Sequence, residues 1–321
     1  MAEQLVLPGV SGDRQVSTDE SQAAIAPRRL TSRSSLPSAV GAFEAHMRGQ
    51  DFAENTCKAF VSDLNLLVQF TGVGQAVGDV ATPDLRRFTH WLAHERDAPC
   101  SPKTLARRVT AIKVFFAWLA DAGVLGTDPA AAVIHQPARS PLPRILSDAE
   151  INRVLDVTQA LRTAGKPDAR PHLLVTLLLH TGIKKGECMN IILNHLDFTD
   201  PARPVLWVRY NNPRRRHKER PLDLPAAWQA TLAEYLAQYR PDSELFPWTA
   251  RNLEYVLAAV GESADLPSQL SFSTLRWTSA VRDYRSGMSP EGLRQKLGIS
   301  NITWRDVGEK VSRLATAGRS A

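Results

Sequence analysis

The amino-acid sequence predicts a mostly α-helical protein of two domains, with one small antiparallel β-ribbon in the second. Three observations carry that expectation. Apolar residues recur at helical spacing through most of the chain, a proline-rich stretch divides it near its middle, and one short run of strand formers interrupts the helical period in the second half. With 321 residues, 43% of them hydrophobic, the chain holds enough apolar surface for two separate cores.

Residues 1–35 are mixed, polar and aperiodic and are expected to form a disordered tail, with Arg28, Arg29 and Arg33 either solvated or touching phosphate. From 36 to 135 helices are expected, marked by Phe60, Leu64 and Leu67 and again by Leu85, Phe88 and Leu92. The clearest begins at Ser101, a good cap, followed by Pro102, which suits a first turn. Its apolar stripe runs through Leu105, Val109, Ile112, Phe116 and Leu119, and Gly123 lies just past its end. The opposite face carries Lys103, Arg107, Arg108 and Lys113, which charge pattern alone leaves open as a solvated surface or a phosphate-facing stripe.

Between Asp128 and Arg144 stand Pro129, Pro137, Pro141 and Pro143, each disfavouring helix in the residue before it, so residues 136–145 are read as the linker and 146–321 as the second domain. Ser147 and Glu150 stand in the capping-box relation ahead of Ile151, Val154 and Leu155. Leu173 to Leu179 is apolar nearly all round, the pattern of a buried helix, ended by Thr181-Gly182 before a further helix from Lys184. Val205 to Tyr210 is rich in strand formers, Asn211-Asn212-Pro213 is turn chemistry, and a return strand is expected to run to Leu224, with Pro221 near an edge. Helical spacing returns at Trp228, Leu232, Tyr235 and Tyr239, at Leu253, Val256, Leu257 and Val260, and last at Val307, Val311 and Leu314.

The 39 Lys+Arg against 33 Asp+Glu give a formal charge of +6, which favours a polyanionic partner such as nucleic acid. Cys57, Cys100 and Cys188 are odd in number and far apart, so neither a disulfide framework nor a zinc ribbon is expected, and a reducing cytoplasm fits. No run approaches the roughly 18 apolar residues of a membrane span, and no basic segment followed by an apolar core opens the chain, so neither membrane insertion nor secretion is expected. His90 and His94 lie four apart beside Glu95, but one helix offers only two convincing ligands; they read as surface histidines, and no metal or cofactor is expected. The run Arg214-Arg215-Arg216-His217-Lys218 packs like charges more densely than a solvated turn requires and points to an anionic partner.

Four ordered boxes then resemble the tyrosine recombinases, the phage-type integrases. Thr181-Gly182-Ile183-Lys184-Lys185-Gly186-Glu187, with Leu196-Asp197-Phe198 after it, resembles the family's T-G-L-R-x-x-E box. Residues 213–225, PRRRHKERPLDLP, resemble G-K-G-x-K-x-R-x-x-P-L; Ser273-Thr274-Leu275-Arg276 resembles H-x-L-R; and Gln295 to Ser300 resembles the L-G-H-S box. Asn55-Thr56 before Phe60, the Ser101 to Leu119 helix and Gly123…Asp128-Pro129-Ala130 resemble the family's SAM-like core-binding domain. The resemblance spans roughly residues 38–318. It implies a helical core-binding domain joined to a mixed α+β catalytic-type domain, the two closing around duplex DNA, and it favours the phosphate-facing reading of Lys103, Arg107 and Arg108.

The resemblance also implies a chemistry: a tyrosine hydroxyl attacks a DNA phosphodiester, two arginines hold the non-bridging oxygens, and Lys and His move protons and stabilise charge. Lys184 stands at the first arginine and keeps the charge without the two-pronged geometry. Arg215 stands at the ribbon lysine, a poor proton donor because of its high pKa, with Lys218 in reach if the turn differs. Ser273 replaces the H-x-L-R histidine, Arg276 keeps the second arginine, and Ile299 replaces the L-G-H histidine. Family spacing places the nucleophile at Gly308, and no tyrosine follows Tyr284, itself read as a core residue beside Trp277 and Val281. Ser300 or Thr303 would need a base that the sequence does not supply.

The expectation is therefore a pseudo-recombinase of the bacterial cytoplasm and nucleoid: a binder of double-stranded DNA, accessory to or antagonist of an active recombinase, through phosphate contacts from Lys184, Arg214, Arg215, Arg216, Lys218 and Arg276 with Lys103, Arg107 and Arg108. The Val307, Val311 and Leu314 face is a candidate for docking on a neighbouring recombinase or a second copy. Two alternatives stay open: an active integrase whose nucleophile is non-standard or supplied in trans, and a protein-interaction module that has lost DNA binding.

Overall fold

Phe43 lies between Phe115 and Trp118, with ring centroids 5.4 and 5.2 Å away, and around these rings the amino-terminal core assembles. The structure, a computed structural model, describes residues 30–134 and 141–317. It divides into two compact units, Met1–Ser140 and Pro141–Ala321.

The first unit is helical: α1 (Leu36–Gly49), α2 (Glu54–Thr71), α3 (Thr82–His90) and α4 (Pro102–Asp121). Ser101 Oγ accepts from Thr104 N at 3.2 Å and caps α4, whose buried stripe includes Val109, Ile112, Phe116 and Leu119. Phe60, Leu64, Leu67, Leu85 and Phe88 complete the core. A π-turn, Trp91–Glu95, follows α3, so His90 and His94 do not share a regular helix; His90 Nδ1 lies 2.8 Å from Glu95 Oε1 on the exposed surface.

The expected disordered tail is corrected at its end. Residues 30–35 are ordered: Leu30 packs on the core, and Ser32 O and Ser34 O accept from Gly78 N and Val77 N at 2.8 and 2.9 Å. Polar composition concealed this because the ordering comes from backbone pairing. A β-carbon at Gly78 would stand 2.8 Å from Ser32 O, so only glycine lets the two segments approach. Residues 1–29, with Arg28 and Arg29, lie outside the described residues; Arg33 is exposed.

The second unit is organised on α6 (Arg170–Thr181), whose buried Leu173, Leu174, Leu177 and Leu178 meet α5 (Asp148–Arg162), α8 (Trp228–Tyr239), α9 (Ala250–Ser263) and α10 (Phe272–Arg285). Such a helix, apolar on most faces, is stable only when surrounded. The expected helix from Lys184 is a single turn, α7 (Lys185–Cys188). Ser147 and Glu150 close their capping box, Ser147 N donating to Glu150 Oε2 at 2.8 Å. The expected linker, residues 136–145, is likewise shortened. Residues 136–140 lie outside the described residues, while Arg144 donates to Glu150 Oε1 at 2.6 Å and Ile145 packs on the unit's carboxy-terminal cluster.

Strands β1 (Leu196–Asp197), β2 (Val205–Val208) and β3 (Arg220–Asp223) form an antiparallel sheet in that order, with Leu206 opposite Leu222 and Val208 opposite Arg220. The expected long ribbon is corrected here. Residues Pro213–Lys218 coil into a 3-10 turn capped by Asn212 Oδ1, which accepts from Arg214 N at 3.0 Å. A run of cations has no apolar alternation to lay against a core, and Pro213 presets the turn.

The chain closes with α11 (Pro290–Lys296) and α12 (Asn301–Ala317). The face expected to dock on a neighbour is used within the chain: Val311 is buried, and Val307 and Leu314 pack against the cluster built by Ala280, Val281, Leu293 and Leu297. Arg285 fastens the helix end, donating to Ala315 O at 3.3 Å and Leu314 O at 3.2 Å.

Replacing Phe43 with Ala opens a cavity among these rings and should cost the first unit roughly 3–5 kcal/mol. Denaturant unfolding followed by the fluorescence of Trp118 measures it, and a loss below about 1 kcal/mol would contradict a close-packed ring cluster.

Candidate functional site

The helix α6 ends at Gly182, in the left-handed conformation at φ 58°, which turns the next residues away from the core and turns the Gly182 carbonyl toward α10. Arg276 of α10 donates to that carbonyl through Nη1 and to Leu297 O through Nη2 at 2.8 Å. Lys184 Nζ donates to Gly298 O at 3.1 Å, and Arg220 Nε donates to Lys296 O at 2.6 Å. Three cations from three elements thus hold three consecutive carbonyls of the turn between α11 and α12. Gly298 is itself left-handed, φ 58°, and a β-carbon there would lie 2.6 Å from Arg220 Cζ.

One carboxylate sits beneath them. Glu187 of α7 accepts from Arg220 Nη2 at 3.0 Å and Nη1 at 3.2 Å, from the Lys184 backbone N–H at 2.9 Å, and from the Tyr210 hydroxyl. The side chains of Arg220 and Glu187 are 9% and 3% exposed, so this is a buried, bidentate ion pair. Burial pushes the Glu187 carboxyl up, but the Arg220 bonds and charge, the Lys184 amide and Tyr210 together outweigh it and hold it below the usual carboxylate range. Burial, then Glu187, pushes the Tyr210 hydroxyl up to about 12. Burial lowers Arg276 to about 10, leaving it a cation at neutral pH. Lys184 falls to about 8, through burial first and through Arg276, Lys218 and Arg220 after it, against the opposing pull of Glu187.

The structure brings Lys184 and Arg276 together at this turn, with Lys218 half-buried beside them and its carbonyl accepting from Arg220 Nη1 at 3.0 Å. Arg214, Arg215 and Arg216 lie exposed on the 3-10 turn. Ser273 is exposed in the first turn of α10, and Ile299 packs against the α10–α12 cluster. Gly308 lies on α12 under the indole of Trp304: a β-carbon at 308 would stand 2.9 Å from Trp304 Cε2. Tyr284 packs on that same cluster. A separate hollow of about 360 Å³ between α5, α6 and α10, bordered by His172, His180 and Arg282, shares no residue with the cation cluster.

In the first unit the basic face of α4 is less open than its sequence pattern. Arg107 grips the buried Asp63 of α2 through both terminal nitrogens, Nη2 to Oδ1 at 3.0 Å. Arg108 Nε lies 3.4 Å from the same carboxylate, with Nη1 on Cys100 Sγ at 2.6 Å. Lys113 Nζ donates to Ala131 O at 3.3 Å, and Lys103 is exposed. Two arginines share one carboxylate, so the pair keeps a positive charge while its geometry is fixed from inside.

Sequence reading left Arg220, Glu187, Tyr210 and Asp63 without roles. The signal was present: strand alternation turns Arg220 inward beside Leu222, and an inward arginine requires a buried acid. Asp63 interrupts the apolar stripe of Phe60, Leu64 and Leu67 in the same way.

Residues 40–123 match the family described as phage integrase, N-terminal SAM-like domain. Tyrosine recombinase XerC of Mycobacterium sp. (strain KMS) is 30% identical over 213 residues, covering 64% of this chain and 67% of that protein. The chain belongs to the tyrosine recombinase family. XerC of Mycobacterium leprae (strain TN) is 32% identical over 177 residues, 54% of this chain and 57% of the relative. Among solved structures, a lambda integrase dimer bound to a COC' core site aligns with a TM-score of 0.67 at 14% identity, covering 85% of this chain and 77% of that one. The XerH recombinase bound to a palindromic difH substrate aligns at 0.67 with 16% identity, covering 88% and 84%. At such identities these likenesses establish a shared fold: a helical core-binding domain and a mixed catalytic-type domain of the tyrosine recombinases.

Removing the carboxylate with Glu187→Gln strands Arg220 in a buried site and should cost roughly 3–5 kcal/mol. Because the folded state lowers the Glu187 pKa, its contribution is complete above the unfolded carboxyl value of about 4.3 and is lost as pH falls through the folded value. Denaturant unfolding across the acid range should therefore fall more steeply for the native chain than for the variant; parallel curves would refute the role given to Glu187.

Proposed function

We propose that this chain is a pseudo-recombinase: a tyrosine recombinase by fold that binds duplex DNA through phosphate and does not cut it. The observation that carries this reading is a cation cluster without the groups that would complete a cleavage reaction. Lys184, Arg220 and Arg276 supply charge, but the one hydroxyl in the network, that of Tyr210, donates to Glu187 and is held near 12. The position assigned to the nucleophile by motif spacing is Gly308, covered by Trp304. Of the five tyrosines, Tyr235 donates to Leu245 O at 2.5 Å, Tyr239 to Asp168 Oδ1 at 2.9 Å, and Tyr284 packs against α12. Tyr255 is exposed on α9, and its hydroxyl accepts from Arg251 Nε at 2.8 Å.

Without a nucleophile, and with serine and isoleucine in place of the two histidines, each missing donor removes on the order of a hundredfold in rate, and the losses together leave no measurable cleavage. What is left is a set of phosphate-binding cations in each unit: in the second, Lys184, Lys218 and Arg276 at the turn with Arg214, Arg215 and Arg216 on the exposed 3-10 helix, and in the first, taken by itself, Lys103 with the braced Arg107 and Arg108 on α4. The lambda integrase structure is bound to a COC' core site and the XerH structure to a palindromic difH substrate, which supports DNA as the ligand class. A role as accessory to, or antagonist of, an active recombinase at its site follows from binding without cutting.

On a nicked suicide duplex the chain should yield no covalent adduct after denaturation, and an adduct that survives denaturant would overturn the reading in favour of an unrecognised nucleophile. Gel-shift affinity should fall steeply with salt, and replacing Arg214, Arg215 and Arg216 with Ala should lower the slope of log K against log salt by up to about 3 if each meets a phosphate. An unchanged slope would remove the 3-10 turn from the contact, and no shift at low salt would favour an interaction module without DNA binding.

A further inference from the structure

The amine of Lys184 is surrounded by like charge. Arg276 faces it from α10, Lys218 from the 3-10 turn and Arg220 from β3. The nearby carboxylate, Glu187 of α7, is already engaged by both terminal nitrogens of Arg220, by the Tyr210 hydroxyl and by the Lys184 backbone N–H. Past the end of α11 the amine meets a neutral acceptor, the Gly298 carbonyl, while Lys296 pairs with Asp283 at 2.6 Å. An ammonium ion at this point is partly desolvated and repelled by three cations, and the one carboxylate that attracts it, Glu187, is shared with Arg220. A guanidinium in the same place could not answer by losing a proton; a primary amine can.

We propose that the cation cluster takes up a phosphate and a proton together, with Lys184 as the group that gains the proton. This rests on the reading of the cluster as a phosphate site. Burial and the neighbouring cations hold Lys184 at about 8. An entering phosphate diester supplies the negative charge the cluster lacks and returns the amine toward its ordinary range near 10.4. Between those two values the bound state carries more protons than the free state, so affinity falls as pH rises. With only the protonated form competent, the apparent dissociation constant grows as one plus the ratio of neutral to charged amine, about tenfold from pH 7 to pH 9. The replacement of arginine by lysine thereby turns a constant charge into a conditional one.

The test uses the full chain and a fluorescent duplex at fixed ionic strength, titrated at about pH 7, 8 and 9. Wild type should weaken about tenfold across the range, and Lys184→Arg, charged throughout, should bind with nearly constant affinity. Binding heats measured at about pH 9 in two buffers of different ionisation enthalpy should show uptake of close to one proton per phosphate site filled, a readout that does not depend on the variant folding. Binding by wild type that is equally tight at every pH, or without proton uptake, overturns the coupling and leaves the phosphate reading standing. A Lys184→Arg chain as pH-dependent as wild type assigns the proton to another group and also overturns it. Absence of DNA binding at every pH overturns the phosphate reading itself, and the coupling with it.

Discussion

The Arg220–Glu187 ion pair is the contact on which the second unit's carboxy-terminal half depends. It joins β3 to α7, and because Arg220 also donates to Lys296 O, it sets the height at which the α11–α12 turn lies over the end of α6. A charge pair this deep gains little net stability over an apolar substitute of the same shape, since desolvation offsets most of the attraction. Its value lies in geometry. Two oxygens facing two nitrogens admit one orientation, and the Tyr210 hydroxyl and Lys184 amide fill the remaining lone pairs so that no acceptor is left unmet.

From that fixed point the rest follows by packing. With the turn pinned, Leu297 enters the same cluster as Ala280, Val281 and Leu293, and α12 can lay Val311 and Ala315 on α10. The cluster is small compared with the core around α6, so backbone-directed bonds supplement it: Arg285 on the last carbonyls of α12, Arg276 and Lys184 on the turn before it. Cations at the carboxy-terminal carbonyls of a helix also oppose its dipole favourably. The cations at this turn hold main-chain oxygens, whose partial negative charge is a weaker version of that on an anion.

Much of this was legible in the sequence, for definite reasons. The helices of the first unit, the cap at Ser101, the capping box at Ser147 and the buried α6 announce themselves because periodicity and capping are local. The extent of the ribbon was misjudged because the 213–218 segment has the length of a strand, and only its lack of apolar alternation betrays a coiled turn. Ordered backbone at 30–35 and the docking of α12 within the chain depend on partners far off in the sequence, Gly78 and Val281 among them, which no local pattern reports. At the site, motif order pointed to Lys184 and Arg276, which meet at one turn, but not to Arg220 beside them. It could not say that Arg107 and Arg108 are braced by Asp63, or that Glu187 is fully occupied, since a charge in sequence carries no record of its partner.

Trp304 and Gly308 have one more consequence. Four residues apart on one helix, they share a single volume: the indole lies where a side chain at 308 would begin, so the two positions cannot be altered independently. A bulky residue at 308 requires the tryptophan to move or be lost first, a step that weakens the small cluster holding α12. The order of substitution therefore matters: the helix accepts a side chain at 308 only after it has given one up at 304.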